Sequence, residues 1–438
     1  MNQAEDPTPS HNPMHRVLGN FWILIRGRGA AAIMAFGATA LMARALGPVE
    51  FGLVVLMHTY AMLIRALLDF GTADAIVRFG VSAHDASDNQ TLGKLLKVCR
   101  RIDKQASITA ALLAWIAAPF VGPAIGMNSQ HVMLLMAYST ILLTPGAGSA
   151  AGLLRLNDRF DIGGRQMTIA PSIRFVGVLI AWSLKAPIVT FMAIWGAAYV
   201  AENTYVLWQA KHKYRLQIKQ ALAGVSLKDA SLKDFDGLRH FIWVTYWQSN
   251  IDLLPKHLTT LLVGHLLGPA EAGLLRLAKE IASALSRPAL LIRQVVFTDL
   301  TRAWNEGSAS FDIVAYRTAM LGGALGLVFV ALSYFFGEYL LGGLLGTQFI
   351  AAKVVLTWML LAATLDLATS PLLSGLYAMG HAIKTLRITM ASTAIYLTMF
   401  VILTRELGLI GAGLAATAGA ALTLIGMIML MRSNKRAA

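Results

Sequence analysis

The chain has 438 residues, of which 56% are hydrophobic and only 14% charged, with a formal net charge of +14 and a mean hydropathy of +0.61. Ordinary soluble domains carry about 25% charged residues, so this composition excludes a water-soluble globule and makes lipid the solvent. A single cysteine, Cys99, excludes an intrachain disulfide and any cysteine-rich metal centre.

The first eighteen residues are polar and hold Pro7, Pro9 and Pro13, which predicts a disordered tail and no cleavable signal. Twelve apolar spans follow, each near the ~20 residues that cross a bilayer: 20–46, 51–80, 106–126, 130–154, 166–184, 188–210, 241–267, 271–300, 318–341, 350–379, 385–404 and 409–431. With the tail placed inside, the alternate loops on its side collect the basic residues, among them Lys94, Lys97, Arg100, Arg101 and Lys104, Arg155, Arg159 and Arg165, and Arg432 and Lys435. The opposite loops carry only Lys185 and Arg405. This is the positive-inside asymmetry, and an even span count returns the C-terminus to the cytoplasm of a multi-pass plasma or inner membrane protein. The basic balance thus reflects topology and contact with anionic membrane lipids; nucleic acid is not an expected partner. Segments 91–103 and 211–240 are basic and amphipathic and are expected to lie on the inner surface as helices that anchor the fold.

One stretch occurs twice. Leu46-Gly47-Pro48-Val49-Glu50-Phe51-Gly52-Leu53 returns as Leu267-Gly268-Pro269-Ala270-Glu271-Ala272-Gly273-Leu274, with six of eight positions identical at an offset of 221. Each copy reads as a tight turn: Gly ends one helix, Pro opens the next, and Glu lies in the new first turn. Gly152 to Arg165 aligns with Ser374 to Arg387 at 222, and Gly196-Ala197-Ala198 with Gly419-Ala420-Ala421 at 223. A nearly constant offset across six spans indicates duplication. Six is even, so the repeat is parallel. The expected fold is therefore all-α and polytopic: twelve transmembrane helices in two pseudo-symmetric six-helix lobes around a central cavity. The expected divisions are a tail at 1–18, an N-lobe at 19–210, a linker at 211–240, a C-lobe at 241–431 and a tail at 432–438.

Charges inside spans are costly, about 2.5–3.5 kcal/mol each on insertion scales, and mark function by default. On span eight Arg276, Glu280, Ser283, Arg287 and Gln294 form one stripe, with Lys279 beside it. Span two places His58, Arg65, Asp69 and Thr72 on one face, with Arg65–Asp69 and Asp74–Arg78 as i,i+4 pairs. Span seven carries Gln248, Asp252, Lys256 and Thr259; span one carries Arg26 and Arg44; span ten carries Lys353 and, deeper, Asp366; Glu202 is isolated in span six. The cationic bias in the first two spans of each lobe suits an anionic substrate, since the planar guanidinium binds two oxygens at once. Asp69, Asp252, Glu280 and Asp366 are candidate sites for a coupling H⁺ or Na⁺. His257 and His265 lack further ligands at metal spacing, no Walker lysine motif is present, and no Ser-His-carboxylate set is in evidence, so neither metal, ATPase nor hydrolase chemistry is expected. Gly146-Ala147-Gly148-Ser149 after Pro145 is expected to be a kink and close-packing site.

The run Ala43 to Leu53, followed by Asp69-Phe70-Gly71 and Val77-Arg78-Phe79, resembles the start of the polysaccharide transporters. These are the Wzx-type lipid-linked oligosaccharide flippases of the multidrug/oligosaccharidyl-lipid/polysaccharide (MOP) exporter superfamily. The resemblance implies two six-helix bundles and translocation of undecaprenyl-diphosphate-linked glycan to the outer leaflet, for lipopolysaccharide, capsule or exopolysaccharide, with other assembly proteins as partners. It also implies a cavity in which basic residues meet the diphosphate, which brings Arg26, Arg44, Arg65, Lys256, Arg276, Lys279 and Arg287 forward. Spans thirteen and fourteen of some relatives are absent here. No bond is made or broken on this reading, so the protein is not an enzyme and no cofactor is implied. A drug/cation antiporter of the same superfamily would want carboxylates and aromatics in the cavity. A polymerase or ligase would want a long outer loop. A scaffold has no reason to place Arg287 and Lys256 in the bilayer.

Overall fold

The computed structural model describes residues 13–222, 230–283 and 310–435; within these, the side chains of 13–28, 216–217, 221–222, 251–252, 254, 310, 312 and 434–435 are outside the described set. The chain is helical, with no β-strand among the described residues. The helices are α1 (Pro13–Leu67), α2 (Thr72–Asp85), α3 (Asn89–Ala124), α4 (Ser129–Ser139), α5 (Gly148–Leu156), α6 (Phe160–Ser183), α7 (Ile188–Lys213), α8 (Arg215–Leu222), α9 (Leu238–Leu266), α10 (described over 269–283), α11 (Ser310–Leu344), α12 (Ala352–Ala378) and α13 (Ala382–Lys435). Six of the described helical stretches are long and apolar enough to cross a bilayer by themselves. Large apolar side chains stand on the outside, such as Ile33, Ile116, Phe120, Met320 and Phe335. In water that surface would be a severe liability; in hydrocarbon it costs nothing.

The duplication survives in the backbone. Helix-ending residues with left-handed φ recur in register: Gly47 (72°) with Gly268 (105°), Gly126 (82°) with Gly346 (108°), Asp158 (56°) with Gly380 (79°), and Lys185 (51°) with Gly408 (62°). The chain therefore stops and turns at equivalent places in both halves. α6 and α7 of the first half correspond to the two arms of α13, which Gly408 bends rather than separates. In the same way Gly47 bends α1 into two arms, with Pro48 opening the second. α1, α6 and α7 pack together, α11, α12 and α13 pack together, and α9 meets both α1 and α13.

The two copies of the repeated turn meet each other. A β-carbon on Gly52 would strike the Pro269 carbonyl, and one on Gly273 would lie 2.9 Å from the Phe51 ring and 3.2 Å from the Gly52 backbone. Only glycine permits backbones this close. Phe51 is fully buried beside them, edge-on to Phe349 at 6.2 Å.

Several sequence expectations need correction. Span two is not one helix: it breaks at residues 68–71, and α2 restarts from Gly71 at φ 61°. Asp69 thus leaves the helical face of Arg65, is exposed, and accepts a hydrogen bond from the Gly71 amide at 3.1 Å, so the expected Arg65–Asp69 pair is not formed. Asp74 pairs with Arg155 at 2.9 Å instead of Arg78, and the Arg78 guanidinium sits 4.7 Å over Phe241. Segment 91–103 is not a separate surface helix but the first part of α3, with Leu92, Leu95, Leu96 and Cys99 in a core shared with α2, Leu153 and Ile242. The linker packs on that core through Tyr214, Ile218, Leu232 and Phe235. Span four does kink at Pro145–Gly146, splitting into α4 and α5.

Both breaks are stitched through α3. Bare backbone at membrane depth is tolerated only where protein satisfies it. Asp103 accepts from the Thr72 hydroxyl (2.6 Å) and the Ser149 amide (2.7 Å), so one carboxylate holds the restart of α2 and the start of α5. Ser107 Oγ accepts from the Gly146 amide (3.1 Å) and from Arg65 Nη1 (2.9 Å) while donating to the Asp103 carbonyl (2.9 Å). Gly146 lies directly under the Arg65 guanidinium.

Candidate functional site

The charged stripe of α10 meets the first lobe at a cavity of about 170 Å³. Both arms of α1 line it through Thr39 and His58, α6 supplies Arg174, α7 supplies Trp195, and α10 supplies Arg276 and Glu280. The Arg276 and Glu280 side chains are one helical turn apart, so both project to the same side. Arg276 Nε stands 3.6 Å from Glu280 Oε2, within ion-pair range but beyond a good hydrogen bond. The Thr39 hydroxyl donates to Glu280 Oε1 at 3.2 Å across the gap between α1 and α10. Glu280 Oε2 is buried without a hydrogen-bond partner.

Arg174 is the second cation. Its guanidinium lies 5.1 Å over the Trp195 ring, and its Nε is buried with no hydrogen-bond partner. The aromatic face fixes the plane of the fork and leaves donors free. His58 Nδ1 and the Tyr138 hydroxyl share a hydrogen bond of 2.7 Å, which ties the second arm of α1 to α4. Two arginines against one carboxylate leave the cavity net positive, and Arg174 Nε and Glu280 Oε2 are each buried without a hydrogen-bond partner. Buried polar atoms of that kind are costly unless a partner arrives. A small oxyanion offers an acceptor to Arg174 Nε and a second anionic partner to Arg276.

The residues singled out from sequence divide. Arg276 and Glu280 line the cavity together. Lys279 turns away and ties α10 to α9, with Nζ donating to Thr259 Oγ1 at 2.6 Å and Thr260 Oγ1 at 3.3 Å; no carboxylate among the described residues pairs with it. Arg65 belongs to the α3 stitch rather than to the cavity. Arg44 and Lys256 are exposed, as is Asp366 on α12. Lys353, placed with Thr357 on span ten, pairs with Glu338 of α11 at 2.8 Å. The side chains of Arg26 and Asp252, and Arg287 altogether, fall outside what the structure describes. Arg174 is missing from the sequence-derived set, although an arginine inside the 166–184 span carries the same signal as the others. Among the described residues no group of three or more His, Cys, Asp or Glu is placed to hold a metal.

Comparisons with known proteins agree on the fold. A family described as "Polysaccharide biosynthesis protein" matches residues 17–304. The chain is 23% identical over 322 residues to the inner membrane protein YghQ of Escherichia coli (strain K12), covering 74% of this chain and 90% of that one. Among solved structures, an inward-facing multidrug resistance MATE family transporter of the MOP superfamily superposes with a TM-score of 0.72 at 16% identity, over 93% of this chain and 96% of that one. The lipid II flippase MurJ in an inward closed conformation superposes with a TM-score of 0.74 at 10% identity, over 93% and 87%. This chain shares the fold of those two structures.

Proposed function

The chain belongs to the polysaccharide biosynthesis protein family, and from that premise we propose that it is a flippase for undecaprenyl-diphosphate-linked oligosaccharide. It moves the lipid from the cytoplasmic to the periplasmic leaflet of the inner membrane, supplying exopolysaccharide, O-antigen or capsule. The observation that carries this reading is the pair Arg174–Arg276 facing one cavity between α1, α6 and α10, with Arg174 Nε buried and without a hydrogen-bond partner. A diphosphate offers bidentate acceptors to both forks. Its oxygens take over Arg276 from Glu280, which then protonates or binds Na⁺ as a coupling group. The cavity accommodates the diphosphate and not a whole glycan, so the lobes must part for the sugars while the prenyl tail stays in lipid. Rocking about the Gly52–Pro269 contact supplies that motion. Every step is non-covalent.

The antiporter alternative draws on the same fold and on Glu280 Oε2, which has no hydrogen-bond partner and would suit a cationic substrate. The two arginines oppose it. The experiment is deletion of the gene with analysis of the lipid-linked oligosaccharide pool, followed by complementation. Accumulation of lipid-linked glycan on the cytoplasmic face is expected in the deletion. Arg174→Ala and Arg276→Ala are each expected to reduce flipping about 10- to 100-fold, the loss of one charge-assisted hydrogen-bonding group. An unchanged lipid pool overturns the substrate class. Full rescue by both variants overturns the site, and ethidium sensitivity with a normal lipid pool selects the antiporter.

A further inference from the structure

A second hollow, of about 930 Å³, lies apart from the inter-lobe cavity and shares no lining residue with it. It sits between α3, the break after α1, the 230–237 segment and the start of α9. Its size falls within the ~300–1,000 Å³ of small-molecule sites, whereas the inter-lobe cavity falls below that range.

The walls have two characters. One is a rigid aromatic platform. Phe70 and Trp243 each stack on Tyr246, at 5.3 Å and 21° and at 5.8 Å and 18°, and the Tyr246 hydroxyl donates to the Leu67 carbonyl at 3.1 Å. That bond pins the stack to the end of α1. Trp243 nevertheless remains 57% exposed, so a flat indole is presented in a fixed orientation. The other wall is polar: Gln105 from α3, with Asp236, Arg239 and His240 from the α9 approach. Beyond Gln105 and Thr109, the same face of α3 continues through Leu112, Ile116 and Phe120, which are 48%, 68% and 77% exposed. The groove therefore has a polar end and runs out onto an apolar, lipid-facing stripe.

A pyranose ring lays its axial C–H bonds on an indole face and gives its hydroxyls to carboxylate, amide and guanidinium groups. A phosphate takes a cation such as Arg239, and a prenyl chain takes the apolar stripe. We propose that this groove is a docking site for the sugar–diphosphate head of a lipid-linked glycan, holding it on the membrane side of the protein before it enters between the lobes. The proposal rests on the flippase reading. Interfacial belts of Trp and Tyr also occur in membrane proteins without any ligand, and the sugar dependence of binding separates the two cases.

The test uses the full chain in phosphatidylcholine nanodiscs and measures the affinity of undecaprenyl diphosphate with and without an attached N-acetylglucosamine, and of phosphatidylglycerol. Trp243→Ala is expected to weaken the sugar-bearing lipid about tenfold and the bare diphosphate less than about twofold, and Trp243→Phe to restore the difference. Arg239→Gln is expected to weaken both polyprenyl lipids. An equal loss for both lipids in Trp243→Ala, or no loss, overturns the proposal. Phosphatidylglycerol binding as tightly as the glycolipid overturns it in favour of an ordinary anionic annulus. Failure of the unmodified protein to bind either polyprenyl lipid sinks the flippase reading itself, a separate result.

Discussion

Asp103 shows how much one buried side chain can hold. It is 8% exposed, and it gathers a hydroxyl from the helix restarted at residue 72 and an amide from the helix begun at residue 148. Without that carboxylate two buried donors lose their acceptor inside the protein. Each stranded group costs about 1–3 kcal/mol. Asp103→Ala is expected to lower thermal stability in detergent by that order for each donor, and Asp103→Asn, which keeps one acceptor oxygen, by less. Equal melting temperatures for all three proteins would remove the stitch from the account of the fold. Arg174 makes the complementary point. Its Nε has no hydrogen-bond partner and its guanidinium lies over Trp195, which is why it is assigned to the substrate in the proposed function. Its charge was legible in the sequence, but its neighbours were not, because they come from helices distant along the chain.

At the level of elements, the repeated turn is both a helix boundary and a contact. Gly47 and Gly268 end helices in the left-handed region, and five residues after Gly47 the two second arms cross so closely that Gly52 meets the Pro269 carbonyl. A side chain there must push the crossing apart. Overpacking costs about 1–3 kcal/mol, enough to shift an open–closed balance about 5- to 150-fold. Gly52→Val and Gly273→Val are each expected to favour separation at this end. The readout is maleimide labelling of a His58→Cys thiol in a Cys99→Ser background, expected to accelerate by that order. Labelling at the parent rate in both variants would show that the crossing does not gate access. The broken elements carry a further lesson. Periodicity through residues 51–80 runs on as if helical, because the local pattern of apolar residues is intact; the partners on either side of the break, Ser107 for Arg65 and Asp103 for Thr72, lie elsewhere in the chain.

For the whole molecule, the asymmetry of lysine and arginine between alternate loops predicts that the segments preceding α1 and following α13 share one side of the membrane. Reporter fusions after α13 are expected to be active only as cytoplasmic reporters, and a fusion in the 125–128 turn only as an exported one. Alkaline phosphatase activity after α13 would reverse the orientation. The membrane class, the all-helical character and the duplication were legible in the sequence by itself. Hydropathy is a local property, a spanning helix satisfies its backbone within its own segment, and helix-ending residues repeat at a nearly constant offset. Which charges meet was decided only by the tertiary structure: Arg65 turns to Ser107 rather than Asp69, Asp74 to Arg155 rather than Arg78, and Arg174 joins Arg276 at the inter-lobe cavity. Partner choice depends on how each helix is rotated and where it breaks, and packing between distant segments sets both.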